Sequence, residues 1–169
     1  MSSSHTPLAK TLHWGFVGLY AYGMFKQLDD LSQLEDAALL QFEVLFASVF
    51  LLIVVLRYLY MRRFETFLGA REPAAPGHKR LARAVHLSMY LCLASLPLSG
   101  LLIAGLYANG VKEGLLQGAV VELHEFFASL SYLLIGIHVA AALLSRLHGE
   151  GVWSSMVPVF KERERGGPR

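Results

Sequence analysis

Two histidines stand fourteen residues apart in the stretch HEFFASLSYLLIGIH, residues 124–138, with little besides apolar and small residues between them. An ionisable side chain is expensive to keep in an apolar helix, so one that sits there is a functional candidate. If the stretch is helical, fourteen residues advance it by about 21 Å and bring it back to within about 40° of its starting direction. His124 and His138 then look the same way at two depths. That spacing suits two haems stacked across one bilayer, one helix giving an axial ligand to each. Two neutral imidazoles on one iron make a six-coordinate, low-spin centre that transfers electrons instead of activating oxygen. The second ligand beside His138 must come from another helix at the same depth. His13, three residues after Lys10, and His86, three residues after Arg83, both meet that condition. The competing role for each histidine is a hydrogen bond that ties neighbouring helices together. Four histidines at two matched depths favour iron. Cys92 is the only cysteine and no C-x-x-C-H occurs, so any haem is held non-covalently.

These side chains need elements that cross a membrane. The 169 residues are 54% hydrophobic and their mean hydropathy is +0.46, too apolar for an ordinary soluble domain. Stretches free of Asp, Glu, Lys and Arg run over 11–25, 44–56, 84–111 and 126–145. A spanning helix needs about 20 mostly apolar residues. The expected fold is therefore all-α, an integral membrane four-helix bundle with helices near 8–27, 37–61, 80–107 and 119–147. Residues 1–150 form the membrane domain and 151–169 a cytoplasmic tail. A soluble bundle would show a polar face, and LFASVFLLIVVL shows none. No cleavable signal sequence is expected, because the first apolar run leads straight into a spanning pattern.

Charge sets the expected orientation. The segment between the second and third helices carries Arg57, Arg62, Arg63, Arg71, Lys79, Arg80 and Arg83 against Glu65 and Glu72, whereas the first connection carries Asp29, Asp30, Glu35 and Asp36 against Lys26. The positive-inside rule then places both termini in the cytoplasm and the two acidic-leaning connections outside.

Three segments, LHWGFVGLYAYGMF (12–25), HLSMYLCLASLPLSG (86–100) and LHEFFASLSYLLIGIHVAAALL (123–144), resemble the first, third and fourth helices of the prokaryotic cytochrome b-561 family, four-helix dihaem proteins of the bacterial inner membrane. The resemblance covers roughly residues 8–150. It implies that His13 and His138 share the inner haem b and that His86 lines a quinone pocket beside it. It also implies that His124 and a histidine of the second helix, fourteen residues before the arginine that closes it, hold the outer haem. Counting back from Arg57 gives Glu43, and the second helix has no histidine. A carboxylate is a hard and weak partner for low-spin haem iron. Three outcomes stay open: no outer haem, with Glu43 and His124 as a buried pair; a five-coordinate or high-spin haem; or a His/Glu centre of lowered potential. A second departure is Ser145, seven residues after His138, where family members often carry another histidine near the quinone. Arg80, Arg83 and Arg146 are candidates for haem propionates or a quinone carbonyl.

With no G-x-G-x-x-G, no Walker sequence and no polar segment long enough for a flavin domain, the chain reads as an electron carrier. The resemblance implies transfer between an outer donor and ubiquinone, which leaves a quinone oxidoreductase activity open. Some relatives take electrons from superoxide, an anion that a basic outer surface would steer. The connection QLDDLSQLED is acidic instead, which disfavours superoxide and suits a basic periplasmic redox protein or a neutral quinol. The alternative is a single-haem or haem-poor membrane subunit of a larger redox complex, such as a dehydrogenase. A homo-oligomer is open, and no feature points to nucleic acid.

Overall fold

The computed structural model describes residues 6–28, 30–64, 76–148 and 152–157. Every regular element among them is helical: α1 (Pro7–Phe25), α2 (Ala37–Phe64), α3 (Pro76–Ala108), α4 (Leu115–His148) and a short α5 (Val152–Met156), with a 3₁₀ turn at Leu31–Glu35 ahead of α2. Residues 65–75, whose charges enter the orientation expectation, and the tail beyond 157 lie outside the described residues.

Local chemistry marks the helix ends. Thr6 caps α1 by accepting from the Ala9 N–H at 3.2 Å, and Pro7 follows where a missing N–H costs nothing. Asp36 caps α2, its Oδ1 accepting from Ala38 at 2.8 Å. α3 ends in a Schellman motif: Gly110, at φ +85°, donates to the Tyr107 carbonyl and Val111 to that of Leu106. Gly114, at φ +98°, then turns the chain directly into α4, which starts four residues before the expected 119. Pro97 lies inside α3 and removes one backbone donor there.

Three helices are long and apolar enough to cross a membrane, over Ala37–Arg63, Arg80–Ala108 and Leu115–His148. On α2, Leu45, Leu52 and Leu59 recur every seventh residue and are 63%, 56% and 51% exposed. An apolar stripe that the bundle leaves bare is what lipid covers. The protein is an all-α membrane protein. α1 is not among the three. It has 19 residues, about 28 Å of helix, and Lys10, Thr11 and His13 dilute its apolar character.

α1 packs along α2, α2 along α3, and α3 along α4. One core joins Phe16, Phe50, Val54 and Leu93 from the first three helices. A second joins Ile103 and Tyr107 of α3 to Val120 of α4, with Leu34 of the 3₁₀ turn folded over them. A salt bridge of 3.1 Å from Lys112 to Glu35 ties the two connections at that end. This is called the loop end. The opposite end, where α1 begins and α4 finishes, is the termini end; there the Thr6 and Tyr60 hydroxyls lie 2.8 Å apart. Between α1 and α4 the ring closes chiefly through long side chains: the Tyr20 hydroxyl lies 2.6 Å from Ser131 Oγ, and Gln27 Nε2 donates to the Tyr132 hydroxyl at 2.8 Å.

Candidate functional site

Five polar residues of α4 follow one repeat. Gln117, His124, Ser131, His138 and Ser145 recur every seven residues, each step rising about 10 Å and lagging about 20° around the axis. They form one ridge along the helix. Gln117, Ser131 and Ser145 are buried. The partner on α1 has the same repeat: His13 and Tyr20 are seven residues apart. Tyr20 donates to Ser131, whose own proton goes to the Ala128 carbonyl at 2.7 Å. That bond fixes the register of two antiparallel helices. Seven residues toward the termini end on both brings His13 and His138 to one level of the α1–α4 seam.

At the termini end, His138 does not stand alone on that level. His86 of α3 meets it edge to face, ring centroids 5.2 Å apart, and the His86 Nδ1 lies 2.7 Å from the Ala82 carbonyl one turn back. An N–H at that nitrogen leaves Nε2 as the ring's acceptor. The His13 ring lies against Trp14 at 5.5 Å, and the Trp14 indole donates to the Met156 carbonyl of α5 at 3.2 Å, so α5 is held beside this level. Arg57 of α2 hydrogen-bonds Tyr90 and lies within electrostatic reach of both His86 and His138. Its Nη1 is buried with no hydrogen-bond partner, and so is Ser145 Oγ, two turns beyond His138. Arg146 stacks on the Trp153 ring at 5.0 Å. Arg80 and Arg83 are exposed.

Two imidazoles from facing helices, with a buried guanidinium nitrogen that wants an anion, form a donor set that fits haem b. His13 and His138 are residues that could hold such a group by their ring nitrogens, and the Arg57 guanidinium has the charge that would suit a propionate. Among the described residues, no three His, Cys, Asp or Glu side chains converge closely enough to hold a bare metal ion.

At the loop end a cavity of about 370 Å³ opens between the helices, lined by Glu43, Phe46 and Phe50 of α2, Leu96, Pro97 and Ile103 of α3, His124 and Ser131 of α4, and Tyr20 of α1. His124 Nδ1 lies 2.8 Å from Ser99 Oγ, and Ser99 donates its own proton to the Ser95 and Leu96 carbonyls at 2.8 and 2.9 Å. Nδ1 is therefore the protonated nitrogen and Nε2 keeps its lone pair, the tautomer a metal ligand or an acceptor needs. Glu43 shares this cavity, with Lys26 close enough to act on its charge. The donor set offers one imidazole and one carboxylate. It does not fit a bis-imidazole haem.

Arg57, Tyr20, Ser131 and Ser99 were not singled out from sequence. Arg57 passes for an ordinary charge at a membrane edge until its burial is seen. Ser131 and Tyr20 were accessible through the seven-residue repeat that also contains the histidines. Ser99 carried no sequence signal, since only the packing of α3 on α4 brings it to His124.

The class defined by this fold is a helical membrane bundle with histidines stacked along one seam. A family model described as prokaryotic cytochrome b561 matches residues 4–159, and the chain belongs to that family. It is accordingly a membrane b-type cytochrome, a haem b protein of electron transfer. Comparison with curated proteins and with solved structures gave no match.

Proposed function

We propose that the protein passes electrons between a donor on the loop side of a bacterial inner membrane and the quinone pool, through haem b held by His13 and His138, with the outer haem site altered by Glu43. The observation that carries this reading is the register set by Tyr20 and Ser131, which levels those two histidines across the α1–α4 seam. Bound there, haem b supplies one-electron transfer. Arg57 would take a propionate, and the buried Ser145 hydroxyl would donate to a quinone carbonyl that enters beside His86, with Arg80, Arg83 and Arg146 around the mouth. All four helices cross the membrane in this reading, with residues 1–150 as the membrane domain and both termini and the 151–169 tail in the cytoplasm. The loop end then faces outward. Asp30, Glu35 and Asp36 on that face repel superoxide and suit a basic redox protein or a neutral quinol.

A second reading is favoured by the loop-end cavity, where Glu43 rather than an imidazole shares the space with His124. Without a second low-spin haem the chain serves as a single-haem membrane subunit within a larger redox assembly. One experiment tests both. The protein is purified in detergent, haem per polypeptide is measured by pyridine haemochromogen, and oxidised and dithionite-reduced spectra are recorded. One low-spin haem, rising toward two in Glu43→His, is the expected result. Two low-spin haems in the unmodified chain restore a full transmembrane wire. No haem overturns the electron-transfer reading.

A further inference from the structure

We propose that the loop-end cavity binds a lipid-soluble hydroquinone, seated between Glu43 of α2 and His124 of α4. The proposal deepens the electron-transfer reading and rests on its statement that no second imidazole completes a haem site there.

The cavity's volume of about 370 Å³ is that of a small-molecule site. Phe46, Phe50, Leu96 and Ile103 give it apolar walls for a ring and the start of a tail. Its polar character is one-sided. Glu43 brings a carboxylate, and His124, with Nδ1 committed to Ser99, brings an acceptor nitrogen. Glu125 adds a second carboxylate at the margin. Of the donors nearby, Tyr20 is engaged with Ser131 and the Gln27 amide with Tyr132, which leaves the Tyr132 hydroxyl as a neutral donor in the lining. Lys26 lies at the rim near Glu43. Acceptors in an apolar cavity need donors, and each one left without a partner is costly. A hydroquinone brings two hydroxyl donors on an apolar ring, whereas the quinone brings only carbonyl acceptors. The site therefore prefers the reduced ligand. Its floor is the Tyr20–Ser131 pair, and two turns past that pair lie His13 and His138. A ligand in the cavity thus sits on the same seam as the haem ligands.

The test is calorimetric titration of the purified, haem-loaded protein, with haem per polypeptide measured on the same sample. Decylubiquinol is titrated anaerobically into protein with reduced haem, and decylubiquinone into protein with oxidised haem, so that no electron moves in either arm. The expected result is decylubiquinol binding about tenfold tighter than decylubiquinone, with that preference lost in Glu43→Leu. Ala47→Phe, which fills the cavity and keeps both acceptors in the sequence, should weaken decylubiquinol binding by at least about tenfold. In a His86→Ala background, which disables the termini-end quinone contact, equal affinity for the two forms overturns the proposal, as does binding that survives both substitutions. Loss of binding in His86→Ala but not in Glu43→Leu places the ligand at the other end and overturns it too. One haem per chain with no decylubiquinol binding overturns this site alone. Two haems per chain overturn the reading beneath it as well.

Discussion

The two ends of the α1–α4 seam are built on one helix repeat and differ in what faces it. At the termini end, His138 has His86 against its ring, with the half-buried Arg57 within electrostatic reach. At the loop end, His124 is oriented just as carefully, by Ser99, but it looks into open space shared with a carboxylate. Helix α4 carries both imidazoles on one ridge. The partner helices set what faces each imidazole, His86 of α3 at one end and Glu43 of α2 at the other, while the ridge that carries both histidines is the same.

The sharpest way to break this comparison is to remove one histidine at a time. His138→Ala, and equally His13→Ala, should abolish low-spin haem almost completely, read as loss of the reduced absorption bands in purified membranes. His86→Ala should keep the haem and impair quinone reduction. If His86→Ala loses the haem while His13→Ala retains it, the ligand pair is His86 and His138 instead.

A smaller effect concerns the tautomer at the loop end. In a Glu43→His background, where a second haem is expected, adding Ser99→Ala removes the acceptor of His124 Nδ1. Haem affinity at that site should fall by about 10–100-fold, measured by haem transfer to apomyoglobin, while the termini-end haem is unaffected.

Smaller again is the bond that sets the register. Tyr20→Phe deletes the hydroxyl that meets Ser131 and should cost about 1 kcal/mol, seen as a lower midpoint in detergent-induced unfolding with haem content retained. No change in midpoint would mean that packing alone holds α1 to α4.

The smallest effect lies outside the membrane. The hydrogen bond and charge of Glu35 raise the Lys112 ammonium above its usual value. A raised folded pKa adds stability that is complete below the unfolded value and disappears as pH climbs through the folded one. Lys112 thus contributes throughout neutral pH and ceases to do so only above about pH 10. Lys112→Met should lower the thermal midpoint slightly at pH 7, and the difference should vanish in about 1 M salt.

Much of this was legible along the chain. The apolar runs and the fourteen-residue spacing of His124 and His138 follow from composition and helix periodicity, which are local properties, whereas Glu43 stands out only through the family resemblance. The apolar runs also suggested four spanning helices, whereas three meet the requirement on their own, because Lys10, Thr11 and His13 dilute the apolar character of α1. What the sequence could not order was everything that depends on the register between helices. It left His13 and His86 as equal partners for His138, and it offered no reason to notice Ser99 or to separate Arg57 from its exposed neighbours. The places of Ser99 and Arg57 come from contacts between residues far apart, such as Ser99 with His124, 25 positions apart. The repeat that aligns side chains on one helix is fixed by backbone geometry. The level at which two helices meet is fixed only when their side chains pack.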